Sequence, residues 1–127
     1  MPFSTNTRLW GGFGIHAGGR LAYFVGDSGY DERLFVDIGR RLGAPDLAMI
    51  PIGAYEPRWF MSDAHMNPQE ALQVHRDVGA RHSVAMHWGT FQLTDEGRDD
   101  PVHDLEKAGG GSFPGFKVLQ IGGSLGV

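Results

Sequence analysis

Apolar residues in this chain follow two rhythms. Three short runs, at 21–26, 47–52 and 82–87, carry closely spaced apolar residues and stop abruptly. The first gives way to Gly26-Asp27, the second opens into Gly53-Ala54-Tyr55-Glu56, and the third ends on His87 ahead of Trp88-Gly89. Short apolar runs bounded by turn residues read as buried strands. The run at 47–52 is apolar without a break, which predicts burial on both faces. Between the runs the spacing becomes helical. From Asp31, the apolar residues Leu34, Phe35, Ile38 and Leu42 recur with acids leading, Arg40-Arg41 closing, and Gly43 and Pro45 beyond. Asn67-Pro68-Gln69-Glu70 is a second helix start, with a cap, a proline at the first position and a glutamate three residues after the cap. Its inner stripe is Ala71, Val74, His75 and Val78, and Gly79 stops it. Strand, helix and strand in alternation predict two βαβ units sharing a parallel sheet.

The flanks are less regular. Arg8 to His16 reads as a glycine-rich strand, joined to the strand at 21–26 through a hairpin at Ala17-Gly18-Gly19-Arg20. Beyond Phe91 the chain turns polar from Gln92 to Asp104 and then glycine-rich, with no element expected before a closing strand at 116–121. Residues 122–127 read as a loose tail. The segment 53–66 is a long loop carrying aromatics, both charges and an imidazole, and long loops in compact domains are usually functional.

With 127 residues the chain is at most one domain. The absence of cysteine removes disulfides and thiolate metal sites, so any metal must take His, Asp, Glu and water. A net charge of −4 offers no basic field for nucleic acid. No apolar run approaches the ~20 residues of a membrane span, and the N-terminus lacks signal-peptide regions. The expected location is cytoplasmic, with a peripheral association with membrane left open. Two motifs match by letter only. Gly12-x-Gly14-x-x-Ala17 has no helix after it, and Gly122-Gly123-Ser124-Leu125-Gly126 lacks the strand–turn–helix context of a nucleophile elbow.

Polar residues at the C-terminal ends of parallel strands face the crevice where α/β proteins place their sites. Asp27, Glu56 and His87 are the three expected to converge there. Asp27 also reads as a turn former before Ser28-Gly29, and His87 as a satisfied core histidine. His65 suits general acid or substrate-anchoring work, or is simply a loop histidine. Glu56 and Arg58 read as a salt bridge within the loop. Trp59, Phe60 and Met61 line an apolar groove or cap the core. His75 reads as packed, His82 as pointing away from the His87 end, and His16 and His103 as surface residues.

Four stretches carry a resemblance: Gly26-Asp27-Ser28-Gly29-Tyr30; Ile50 to Met61 with its Gly-Ala-Tyr-Glu-Pro-Arg-Trp-Phe-Met; His65 with Asn67-Pro68 and Glu70-Ala71; and Met86-His87-Trp88-Gly89-Thr90-Phe91. Together they resemble the metallo-β-lactamase-fold hydrolases, and within them the N-acylphosphatidylethanolamine-hydrolysing phospholipase D group. The resemblance implies an α/β fold in which residues 1–127 form the C-terminal half of an αββα sandwich, a mixed sheet with βαβ units and flanking helices. It implies two Zn2+ ions per complete site, with Asp27 as the bridging aspartate and His87 as the last histidine ligand. It gives His65 a catalytic place near the scissile phosphate and makes Tyr55, Glu56, Trp59 and Phe60 candidate substrate contacts. The implied chemistry is hydrolysis of a phosphodiester or lipid-like substrate by a metal-activated water. The family's His-x-His-x-Asp-His motif is missing, since no His-x-His occurs in the chain. The chain is therefore expected to be silent alone and to pair with a missing N-terminal half or a second copy across an exposed apolar sheet face. The alternative is a non-catalytic dimeric binding module that uses the 53–66 loop for an apolar or phosphate-bearing ligand.

Overall fold

The computed structural model describes residues 11–61, 65–89, 95–109, 115–120 and 122–127, without the side chains of Phe60 and Met61. Strands β1 (Phe13–Ala17) and β2 (Arg20–Phe24) form an antiparallel hairpin, turned through Gly18 and Gly19. Both glycines have positive φ, at 57° and 76°, as a two-residue turn matched to strand twist requires. The Arg8 to Trp10 part of the expected strand lies outside the described residues.

The chain then enters helix α1 (Glu32–Leu42), strand β3 (Leu47–Pro51), the single turn α2 (Arg58–Met61), helix α3 (Pro68–Asp77) and strand β4 (His82–Met86). Helix α4 (Asp100–Gly109) and the two-residue strand β5 (Phe116–Lys117) complete the sequence of elements. The sheet runs β1-β2-β3-β4-β5 in space, antiparallel at the hairpin and parallel through the rest. This is the mixed sheet with βαβ units expected from the alternation of periods.

Capping explains where the helices begin. Asp31 accepts from Arg33 N at 3.0 Å and Leu34 N at 3.4 Å, while Gly43, with φ 86°, ends α1. Asn67 and Glu70 form the reciprocal capping box of α3, at 2.8 and 3.0 Å. The core joins Phe35 of α1, Ala71, Leu72 and Val74 of α3, and Leu105 of α4 to Tyr23, Ala48, Ile50, Ala85 and Phe116 of the sheet. Leu34, beside Phe35 on α1, instead stays 48% exposed at the stripe's edge.

Three expectations change. The run at 47–52 is buried on both faces only towards its end: Ala48, Ile50, Pro51 and Ile52 are fully buried, while Leu47 and Met49 are half-buried. Successive strand residues alternate faces, and the register carries the face of Leu47 and Met49 across the sheet to Phe24, Phe13 (67% exposed) and Ile15 (58%). The chain thus presents an apolar sheet face to solvent, as the sequence implied. Second, α4 occupies part of the polar stretch where no element was expected. Its apolar positions are few, with Pro101 and Leu105 buried, and it packs against α3. Third, the closing strand is shorter than 116–121, pairing Ser83 with Phe116 and Val84 with Lys117. Ile121 lies outside the described residues, and 122–127 has no regular structure beyond a turn.

His75 is buried, as its place on the stripe of α3 implied, and its Nδ1 lies 2.5 Å from Ser83 Oγ. Burial holds its imidazole below the ordinary value, and Arg76 and His82 push the same way. His16 and His103 are exposed, and His82 opens β4 at the end opposite His87.

Candidate functional site

Parallel β2, β3 and β4 end on one edge of the sheet, and the residues that follow them build the site. The ladder continues past β2 and β3, with Val25 N donating to Met49 O at 3.1 Å and Ile52 N to Met86 O at 3.0 Å. Asp27 follows two residues after Val25. Its turn is anchored by Tyr30, which donates to Asp77 of α3 at 2.6 Å and stacks on Phe35. His87 follows β4 at once and adopts a left-handed backbone with φ 61°. That conformation is rare for a residue with a Cβ and is worth attention where it turns a side chain into a site.

Three side chains meet at this edge. Asp27, His65 and His87 each place a donor atom within 4.8 Å of the others. His87 Nε2 lies 3.4 Å from Asp27 Oδ1, and the His65 and His87 rings are 5.1 Å apart at 37°. Asp27 and His87 are open to solvent and His65 is half-buried. Among the described residues, His65 Nδ1 is buried without a hydrogen-bond partner. Burial holds the His65 imidazole below its ordinary value, the nearby His87 adds to this, and Asp27 and Glu96 act against it.

His65 is positioned from the 53–66 loop. Arg58 donates to its carbonyl at 3.2 Å and pairs with Glu70 at 2.5 Å. The same Glu70 oxygen accepts from Asn67 N, so a single carboxylate closes the capping box and holds the arginine that steadies His65. The expected Glu56–Arg58 bridge is thus replaced by Arg58–Glu70, because the α3 N-terminus already presents a fixed carboxylate.

Glu56 does not join Asp27 and His87 as expected; His65 takes that place among the described residues. Glu56 lines a separate cavity of about 500 Å³ with Tyr55, Asn67, Gln69, Asp104 and Lys107. Tyr55 is 3% exposed, and its hydroxyl donates to Asp104 of α4. Trp59 is 86% exposed on α2, and the Phe60 side chain lies outside the described residues. Sequence reasoning missed Glu96, whose carboxylate accepts from Ala54, Tyr55 and Glu56 N at 3.0, 3.1 and 2.8 Å. No local pattern announces a glutamate whose partners are some 40 residues away.

Two histidines held low by burial give stability a pH dependence. Their folded pKa values lie below the unfolded value of about 6.5, so the unfolded chain binds more protons there. The stability they contribute is fully present above that value and is lost as pH falls through the folded values. The urea midpoint is expected to fall on acidification below about pH 6.5. His75→Gln is expected to flatten that fall, and a midpoint constant down to about pH 5 would contradict it.

The family model described as the beta-lactamase superfamily domain matches residues 2–88. The chain belongs to that superfamily. Within it, the chain is 52% identical over 88 residues to N-acyl-phosphatidylethanolamine-hydrolyzing phospholipase D 1 of Caenorhabditis elegans, covering 69% of this chain and 25% of that protein. It is 40% identical over 115 residues to the mitochondrial N-acyl-phosphatidylethanolamine-hydrolyzing phospholipase D of Saccharomyces cerevisiae, covering 89% and 24%. The chain therefore spans about a quarter of the length of these curated relatives. Among solved structures, the metallo-beta-lactamase fold protein YhfI of Bacillus subtilis superposes with a TM-score of 0.60 at 21% identity. That match covers 86% of this chain and 40% of YhfI, and it shows the superfamily's fold.

Proposed function

We propose that the chain is the C-terminal portion of a zinc-dependent phosphodiesterase of the phospholipase D type, which binds metal through Asp27 and His87 and uses His65 in catalysis. The observation that carries this reading is the convergence of two imidazoles and a carboxylate from three separate segments at the C-terminal edge of the sheet. The donor set suits zinc, which takes His nitrogen and Asp oxygen at about 2.0–2.2 Å. Two such donors on one tetrahedral ion stand roughly 3.4 Å apart, as His87 Nε2 and Asp27 Oδ1 do at 3.4 Å. The buried His65 nitrogen, which has no hydrogen-bond partner among the described residues, further supports a site built for a ligand.

Zinc, when bound, would activate a water and neutralise charge on phosphoryl oxygens. His65, kept neutral by burial, can hold a proton between a phosphoryl or leaving oxygen and its own ring. Trp59, on the 53–66 loop that carries His65, offers an exposed ring to an apolar tail. The names of the relatives favour an N-acyl-phosphatidylethanolamine-like lipid as substrate. Tyr55 and Glu56 would meet such a substrate only through the cavity they line, away from the donor cluster. No helix among the described residues is long and apolar enough to cross a membrane. The lipid-acting relatives favour work at a lipid surface, and a peripheral, cytoplasmic protein is the reading we adopt.

Asp27, His65 and His87 do not complete a two-zinc site, and the missing ligands would come from the N-terminal half of the fold. The chain alone is expected to hydrolyse bis-p-nitrophenyl phosphate at background rate. Adding a relative's N-terminal half should restore a zinc-dependent rate that His65→Ala removes. A folded mixture with zinc bound and no hydrolysis would contradict the reading. The open face around Phe13, Ile15 and Phe24 favours a second reading, a dimeric binding module. In that case ligand binding would survive chelation.

A further inference from the structure

Residues 95–98 contact both loops that frame the donor cluster. Glu96 accepts from three successive backbone amides, those of Ala54, Tyr55 and Glu56. Asp95 N adds a bond to Glu56 O at 3.1 Å, and Arg98 Nε donates to Gly89 O at 2.8 Å. One grip thus falls on the turn after β3, and the other falls two residues beyond His87. Three converging N–H groups form a concave anion site, and here the protein fills it with its own carboxylate. The turn gripped by Glu96 begins at Gly53, which lies so close to His87 that a Cβ there would sit 2.0 Å from the His87 carbonyl oxygen. Ala54 itself has φ 62°, a conformation that needs holding. A shift of the 54–56 turn is therefore passed to the His87 backbone through direct contact, with no side chain between to absorb it.

We propose that Glu96 is a positioning residue for the metal centre: by clamping the 54–56 amides, it holds Gly53 against His87 and so fixes the direction of the His87 imidazole. The proposal rests on the reading of Asp27 and His87 as metal ligands. Glu96 is not among the three converging donors. Its carboxylate carries the negative charge that three amide dipoles require, and Arg98 secures the opposite loop. Groups that hold ligands in place in this way commonly change metal affinity by about 10–100-fold when removed.

The test is a cobalt titration followed by visible absorption, on the wild-type chain and on Glu96→Ala, Glu96→Gln and His87→Ala, with amide exchange read at Ala54, Tyr55 and Glu56. Glu96→Ala is expected to bind cobalt about 10–100-fold more weakly and to lose protection at those amides. Formate, a carboxylate small enough to enter the vacated place, should restore both. Glu96→Gln, which keeps the shape and one acceptor oxygen, should lose less and should report on the role if the alanine variant fails to fold. Wild-type cobalt affinity in Glu96→Ala or Glu96→Gln, despite lost protection of the three amides, would overturn the role of Glu96 while leaving the metal centre standing. A wild-type chain whose cobalt binding is absent, or unchanged by His87→Ala, would overturn both together.

Discussion

Replacing Gly53 with alanine is expected to cost the fold about 3 kcal/mol and to displace His87. The constraint is space. A Cβ at residue 53 would lie 2.0 Å from His87 O, 3.1 Å from His87 C and 3.3 Å from Trp88 Cα. All three are backbone atoms, so no rotamer change can relieve the contact. The neighbouring chain is also pinned, since Ile52 N donates to Met86 O and the 54–56 amides are held by Glu96. The strands must separate or the His87 backbone must leave its left-handed conformation. Either response re-aims the imidazole, so metal affinity should fall with stability. Urea unfolding and a cobalt titration read the two effects. A Gly53→Ala chain within about 0.5 kcal/mol of wild type, the range of an ordinary surface change, would contradict this packing.

Replacing His87 with glycine is expected to raise stability while abolishing metal binding. A residue with a Cβ pays about 1–2 kcal/mol to sit in the left-handed region, and glycine does not. His87 is in that region with φ 61°, and its side chain meets Asp27 and His65 at the open edge of the sheet and is no part of the core cluster, so the packing lost on removal is small. The net gain should be about 1 kcal/mol by urea unfolding, together with a loss of more than about 100-fold in cobalt affinity. Such opposite signs mark a residue kept for chemistry at the expense of the fold. A glycine variant less stable than wild type would mean that His87 is a structural core residue, the bland reading of its place at a strand end.

The local signals were readable because they are local. Asp31 and Gly43 bound α1, Asn67 and Glu70 open α3, and Gly18-Gly19 turn the hairpin, each through bonds or dihedrals within a few residues. The parallel pairing of β2, β3 and β4 followed from the alternation of periods, since parallel neighbours need crossovers. What could not be read depends on long-range partners. The polar stretch after residue 95 gains a helix because α4 packs on α3 and Tyr55 reaches Asp104 across 49 residues. Asp27 and His87 were placed at one edge by strand direction alone. His65 came to them through the Arg58–Glu70 link, which the sequence suggested would be spent on Glu56. Leu47 and Met49 are half-buried because no described element covers them on that sheet face, and unbroken hydrophobicity carries no information about what lies over a face.

The most direct measurement is the zinc content of the purified full chain at neutral pH, taken beside His87→Gly. The account predicts saturable binding of a single ion by the wild-type chain, removed by the substitution while the variant stays folded. No zinc above the buffer level in the wild-type chain, or equal zinc in the two proteins, would contradict the claim that Asp27 and His87 form a metal centre.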